Sequence, residues 1–198
     1  MTNRNRLKLL MTASLAVAGL TACTSSSPEA GRPDTAAPST AASSASASTP
    51  VTKSPGKPPE RPAAAQGLSL AAAEAFVRYY SDLMNYSSDS GDVSAMLGAS
   101  DAGCEACKAY ADFVKKSNAA NGLLTGDYYE HVTEVSELVR GANGRLGGSA
   151  VVTIGKYVSR DKPSASPFTT PATTYTREVA LSAQGGSWVM YELRQEAQ

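Results

Sequence analysis

The last two-thirds of this 198-residue chain predict an α+β domain, with N-terminal helices packed on a curved antiparallel sheet. Three observations lead there. Apolar and aromatic residues recur at three-to-four spacing between Ser69 and about Ala120. From Tyr128 onward the spacing falls to two, and glycine-rich turns punctuate the runs. All 13 aromatic residues lie beyond Gly67, so the material for a core is confined to residues 68–198.

Residues 1–22 predict a lipoprotein signal peptide rather than a structural element. Arg4, Arg6 and Lys8 form a basic start, and Leu9 to Ala22 is an uncharged run of 14 residues. That is too short for a helix crossing about 30 Å of hydrocarbon, but it suits a secretory signal. Leu20-Thr21-Ala22-Cys23 resembles the bacterial lipobox. That resemblance implies cleavage before Cys23, a diacylglycerol thioether on its sulfur, and an acyl chain such as palmitate on its new amino group. One acyl chain holds a protein marginally, and two or more hold it firmly, at about 0.8 kcal/mol per buried methylene.

Residues 23–67 then read as the lipidated cysteine and a disordered tether. Between Thr24 and Gly67 there are 10 Ala, 9 Ser, 8 Pro and 5 Thr, with no aromatic. Such a chain has little to bury against the entropy of ordering its backbone, and its prolines break helices. Its reach is about 35–40 Å as a coil and about 140 Å fully extended. Pro59-Glu60-Arg61-Pro62 has the PxxP pattern in a stretch expected to favour polyproline geometry. The intracellular readers of that pattern are in the wrong compartment for a secreted chain.

The domain, residues 68–198, opens with a helix capped by Ser69. Its Ala72, Ala75/Phe76, Tyr79/Tyr80 and Leu83/Met84 share a face as far as about Tyr86. A short helix is expected over Asp92–Leu97 and a third from about Cys104 to Ala120, where Asn121-Gly122 marks its end. Tyr128–Arg140 reads as one strand, open to a bulge, despite its three glutamates, and closes on the turn Gly141-Ala142-Asn143-Gly144. Ser149–Ser159 alternates as a second strand, and Pro163, Pro167 and Pro171 mark a loop. Thr173–Ala183 sets Tyr175, Val179 and Leu181 against Thr174, Thr176 and Glu178. Gln184-Gly185-Gly186-Ser187 then turns the chain into a last strand, Trp188–Arg194.

With these stretches in place, the chain resembles an uncharacterised group of actinobacterial lipoproteins, the domain-of-unknown-function family numbered 6318. The resemblance rests on Ala73-Glu74-Ala75-Phe76-Val77-Arg78-Tyr79-Tyr80, on Leu83-Met84-Asn85-Tyr86 with Gly91-Asp92, on Cys104-Glu105-Ala106-Cys107, and on Gly185-Gly186-Ser187-Trp188. It implies class and compartment but no reaction. The order of elements is also similar to the cone of nuclear transport factor 2, a cystatin-like arrangement in which helices cap a curved sheet around a pocket. On that likeness Phe76, Tyr79, Tyr80, Tyr86 and Tyr110 are candidates for pocket lining or for core.

Charge and chemistry narrow the function. The chain balances 18 basic against 18 acidic residues, and residues 68–198 carry 11 against 15, so no nucleic-acid partner is expected. With a single histidine, His131, neither a three-histidine zinc site nor HExxH can be built. His131 and the run Glu130, Glu134 and Glu137 read as a solvated sheet face rather than a metal or acid–base set. Once Cys23 is lipidated, Cys104 and Cys107 remain, and outside the membrane they are expected to form a disulfide. Thiol–disulfide exchange and zinc are the alternatives for that CxxC. No catalytic residue, metal or cofactor is assigned. The expected protein is therefore lipid-anchored on the outer side of the cell membrane and non-catalytic. It would bind or support an envelope protein, a glycan or a small apolar ligand. The alternative is a small isomerase or hydrolase seated in the cone.

Overall fold

A computed structural model describes residues 56–195. The signal expected at 1–22, Cys23, and the tether as far as residue 55 lie outside the described residues, as do residues 196–198. No helix among those described is long and apolar enough to cross a membrane.

Three helices come first: α1 (Leu70–Ser90), α2 (Ser94–Gly98) and α3 (Glu105–Lys116). The hydroxyl of Ser69 accepts from the Ala72 amide at 3.0 Å and caps α1 as expected. The helix runs a turn beyond Tyr86 because its serines are satisfied locally. Ser87 donates to the Leu83 carbonyl and Ser90 to the Tyr86 carbonyl, so polar side chains that favour turns are accommodated inside a helix. Gly91 ends α1 with φ +75°. A Cβ there would also stand 2.6 Å from the Asn118 amide nitrogen, so the position is closed to side chains on two counts.

α3 stops at Lys116 rather than near Ala120, and the residues after it have a different task. The Ala119 and Ala120 amides donate to the carbonyls of Ser88 and Asp89, closing the end of α1. Asn118 and Asn121 exchange bonds with each other's backbone and hold that loop.

Among the described residues eight strands follow: β1 (Leu124–Gly126), β2 (Glu130–Val135), β3 (Val139–Arg140), β4 (Leu146–Ile154), β5 (Tyr157–Ser159), β6 (Phe168–Thr170), β7 (Thr173–Gln184) and β8 (Ser187–Gln195). All strand pairings are antiparallel. A five-stranded sheet runs β2-β4-β7-β8, with β3 beside β2 along the same edge of β4, and a small sheet runs β1-β5-β6. The expected strand 128–140 is thus two strands. The break lets Leu138 turn into the core, while the Ser136 hydroxyl accepts from the Ser149 amide at 2.7 Å. The expected strand 149–159 also divides, at Gly155, where a Cβ would collide with the Asp127 carboxylate. There the chain leaves the large sheet, and it returns through the proline-marked segment, which contains β6.

The helices pack on one face of the large sheet. Phe76, Tyr80, Leu83 and Met84 from α1 and Cys107, Ala111 and Val114 from α3 meet Leu146, Val152, Val179, Leu181, Trp188 and Met190. Each Val, Leu, Phe or Met among them contributes roughly 1.5–3 kcal/mol when fully buried. Both edges of this sheet are occupied. Along β2, the Asn85 side-chain amide pairs with both backbone groups of Glu130, at 2.9 and 2.8 Å, and Arg78 donates to the Val132 carbonyl. Along β8, Ser100 forms a parallel bridge to Met190.

The domain begins earlier than residue 68. Ala63–Ala65 forms a 3-10 turn, Ala65 is fully buried, and Arg61 donates to the Trp188 carbonyl at 3.1 Å. This corrects the expectation of a disordered tether running to Gly67. Composition recorded the lack of apolar side chains there but not the aromatic surface that receives Arg61.

Candidate functional site

The chemically distinctive place is the polar end of the interior, between α1, β2 and β7. Alternation along β7 turns Tyr175, Arg177, Val179 and Leu181 inward. Arg177 is paired in register with Ala150 on β4, whose small side chain leaves space for a guanidinium. Glu130, at the start of β2, meets it there. Arg177 Nη2 donates to Glu130 Oε1 at 2.7 Å and Nη1 donates to Oε2 at 2.8 Å, a two-pronged ion pair with both side chains 10% exposed. The Tyr175 hydroxyl accepts from Arg177 at 2.6 Å and donates to Glu130 at 2.8 Å, closing a three-membered network.

Around that centre the phenols are held neutral. Burial, and next the Glu130 charge, push the Tyr175 and Tyr110 hydroxyls well above the ordinary tyrosine range. The Tyr110 hydroxyl donates to the Met84 carbonyl at 3.2 Å and stands 2.7 Å from the Ser88 hydroxyl. Arg177 is held protonated against its burial by Glu130. Its Nη1 also stands 3.5 Å from the Met84 sulfur, and its Nε has no hydrogen-bond partner among the described residues.

The residues expected to line a pocket separate in the structure. Phe76, Tyr79 and Tyr80 are buried in the core, with Phe76 at 0% exposure. Burial pushes Tyr80 up to about 12, and its hydroxyl pairs with that of Ser100 at 2.8 Å. Tyr110 joins the polar end, and Tyr86 is half-buried on α1. Three surface clefts, of about 240, 360 and 460 Å3, lie on the outer face of the large sheet or between Leu70 and Leu138. None of the three is lined by any of these five aromatics. Of the two roles expected for these residues, core or pocket lining, Phe76, Tyr79 and Tyr80 take the first, as packing and hydrogen-bonding groups.

Glu130 departs from the solvated face expected of the acidic run, whereas His131 and Glu134 are exposed. Asp82 on α1 is pushed up by burial, with His131 opposing the shift. Among the described residues no group of three or more His, Cys, Asp or Glu is placed to hold a metal ion. A second shared carboxylate lies nearer the surface: Asp89 accepts from the Tyr128 hydroxyl at 2.5 Å and also from the Tyr129 hydroxyl.

Cys104 and Cys107 are joined in a disulfide with Cα atoms 5.3 Å apart. Cys104 is the N-cap of α3, and its sulfur accepts from the Cys107 amide at 3.2 Å. Both residues are buried, which opposes thiol exchange by denying an attacking thiolate access. Asp101 prepares this helix start. It accepts from the Gly103 amide and the Ser182 hydroxyl, and these bonds hold its carboxyl below the usual range.

Fold and site together define an α+β domain of helices on a curved antiparallel sheet, with a buried ion pair at one end of its interior. Within that class, the chain belongs to DUF6318, a family of unknown function matched over residues 43–194. Among solved structures, the fold is similar to the intermembrane space region of the chloroplast protein ARC6. The identity is 16% over 66% of this chain and 98% of that chain, with a TM-score of 0.51. A variant of Rd1NTF2_05 also aligns, at 17% identity over 63% of this chain and 96% of that chain, with a TM-score of 0.40. No curated protein matches the chain.

Proposed function

We propose that this protein is a lipid-anchored lipoprotein on the outer side of the cell membrane, like the actinobacterial lipoproteins its sequence resembles, and that its domain binds or supports an envelope component rather than catalysing a reaction. The observation that carries the reading is the mutual engagement of the buried polar side chains. Glu130, Arg177 and Tyr175 engage one another, and a carboxylate with both oxygens held by a guanidinium is poorly placed to serve a substrate. The Cys104–Cys107 disulfide suits an oxidising compartment. The basic start, the run ending in Leu20-Thr21-Ala22-Cys23 and the Ser/Ala/Pro-rich stretch supply anchor and spacer. The partners are membrane lipid through acylated Cys23 and an envelope protein, a glycan or a small apolar ligand. One observation favours the enzyme alternative, the meeting of a carboxylate and a phenol at Glu130 and Tyr175; the position of Arg177 weighs against it.

Cys23→Ala in the full chain is expected to move the protein from the membrane fraction to the soluble secreted fraction, read by fractionation and intact mass. Unchanged membrane retention, or a wild-type mass without acyl chains, would overturn the anchor.

A further inference from the structure

The segment ahead of α1 sits in a socket. Phe76 and Tyr79, one turn apart on α1, and the carbonyl of Trp188 at the start of β8 form its walls. The Arg61 guanidinium lies 4.8 Å from the Phe76 ring centroid and 5.6 Å from that of Tyr79, and it donates to the Trp188 carbonyl at 3.1 Å. The Tyr79 hydroxyl donates to the Pro59 carbonyl at 3.4 Å. Pro62 has φ −66° and ψ 152°, the geometry of a polyproline helix, so little conformational freedom is lost when this segment is held.

The grip on Arg61 is specific and contains no ion pair. Among the described residues Arg61 has no carboxylate partner, so cation–π contact and one charge-assisted hydrogen bond retain it. Bonds of that kind open locally without global unfolding. The walls, by contrast, belong to α1 and β8. Between the strap and α1 lie the 3-10 turn with its buried Ala65 and then Gly67 at φ +83°, so opening the strap about Gly67 also withdraws Ala65 from the core.

We propose that the Phe76–Tyr79–Trp188 socket is a recognition site for a proline-flanked arginine on an extended chain. Residues 58–62 fill it in cis, and the same segment of a second copy of this chain fills it in trans. The second copy is the occupant because the sequence seen to fit is the chain's own. Exchange would conserve every contact, leaving concentration to choose between the two arrangements.

The test uses the full chain carrying Arg61→Ala, in which the socket is intact and its own strap is weakened. A synthetic peptide of residues 56–66 is titrated and followed by the emission of Trp188, the chain's one tryptophan. Saturable binding is expected, about tenfold weaker when the peptide's arginine is replaced by alanine and weaker again on the unaltered chain, where the strap competes. Absence of saturable binding, or binding indifferent to the peptide's arginine, would overturn the proposal. Loss of cooperative unfolding in Arg61→Ala would do so as well, since the strap would then be a fixed wall of the core. Sedimentation of the unaltered chain tests the second copy. A dimer that grows with concentration and is dispersed by excess peptide supports it, and a monomer throughout, or a dimer blind to the peptide, refutes it.

Discussion

Strand β7 presents two unlike regions to the same interior. Its first inward positions are Tyr175 and Arg177, tied to Glu130; its next two are Val179 and Leu181, packed among Leu146, Trp188 and Met190. One strand and one face therefore cross from an ion-paired end to an apolar end within seven residues. The apolar end draws its stability from volume, and any side chain of similar size and shape serves. The ion-paired end depends on completeness: two buried charges that cancel cost little, and one alone costs much.

The largest test asks whether the two ends form one unit. Tyr80 is held neutral by burial to about 12, and Tyr110 and Tyr175 at the polar end are raised as well. A tyrosine whose pKa is higher folded than unfolded contributes stability that is constant below the unfolded value, near 10, and lost as pH rises through the folded one. Tyrosinate absorbance and circular dichroism should therefore change together in a single alkaline transition from about pH 10 upward. Buried tyrosines ionising in a step separate from unfolding would divide the interior into independent parts.

Next in size is the ion pair. Glu130→Gln leaves the Arg177 charge uncompensated and should lower stability by about 3–5 kcal/mol in urea denaturation. Glu130→Leu combined with Arg177→Met should recover most of that loss. If the double variant is as unstable as the single, the end is not governed by charge balance. Leu181→Ala provides the apolar counterpart, with a cost of about 2–5 kcal/mol that no change at Glu130 relieves. A strong coupling between the two sites would contradict the separation. The smallest effect is expected from replacing both Cys104 and Cys107 by alanine. So short a loop should cost about 2 kcal/mol, with β7 chemistry untouched at either end.

The inward face of β7 was legible in the sequence, since Tyr175, Val179 and Leu181 stand out by period two. Arg177 shares their parity, and a charged residue at an inward position implies a buried partner. The acidic run was instead read as a solvated face, and its parity could not single out Glu130 from Glu134 or Glu137, because the β2 bulge after Val132 changes which side chains face in. Helix capping by Ser69 was readable for the same local reason. The strand breaks at Ser136–Leu138 and Gly155 were not, since each answers to a residue distant in sequence, Ser149 in one case and Asp127 in the other. The Arg61 strap was hidden most completely. Its partners Phe76, Tyr79 and Trp188 explain its order, and nothing in its own composition announces them.

The side chains along the sheet margins bear on how copies of this protein behave when crowded. An open strand margin is a template on which another chain can add itself, the first step toward fibrous aggregation. Here Asn85 imitates a neighbouring strand by offering one donor and one acceptor to Glu130, and Arg78 takes the next free carbonyl. On the opposite margin Ser100 and Arg61 meet the backbone of Met190 and Trp188. The domain thus carries its own guard against self-templating, built from helix and strap side chains rather than from an additional strand.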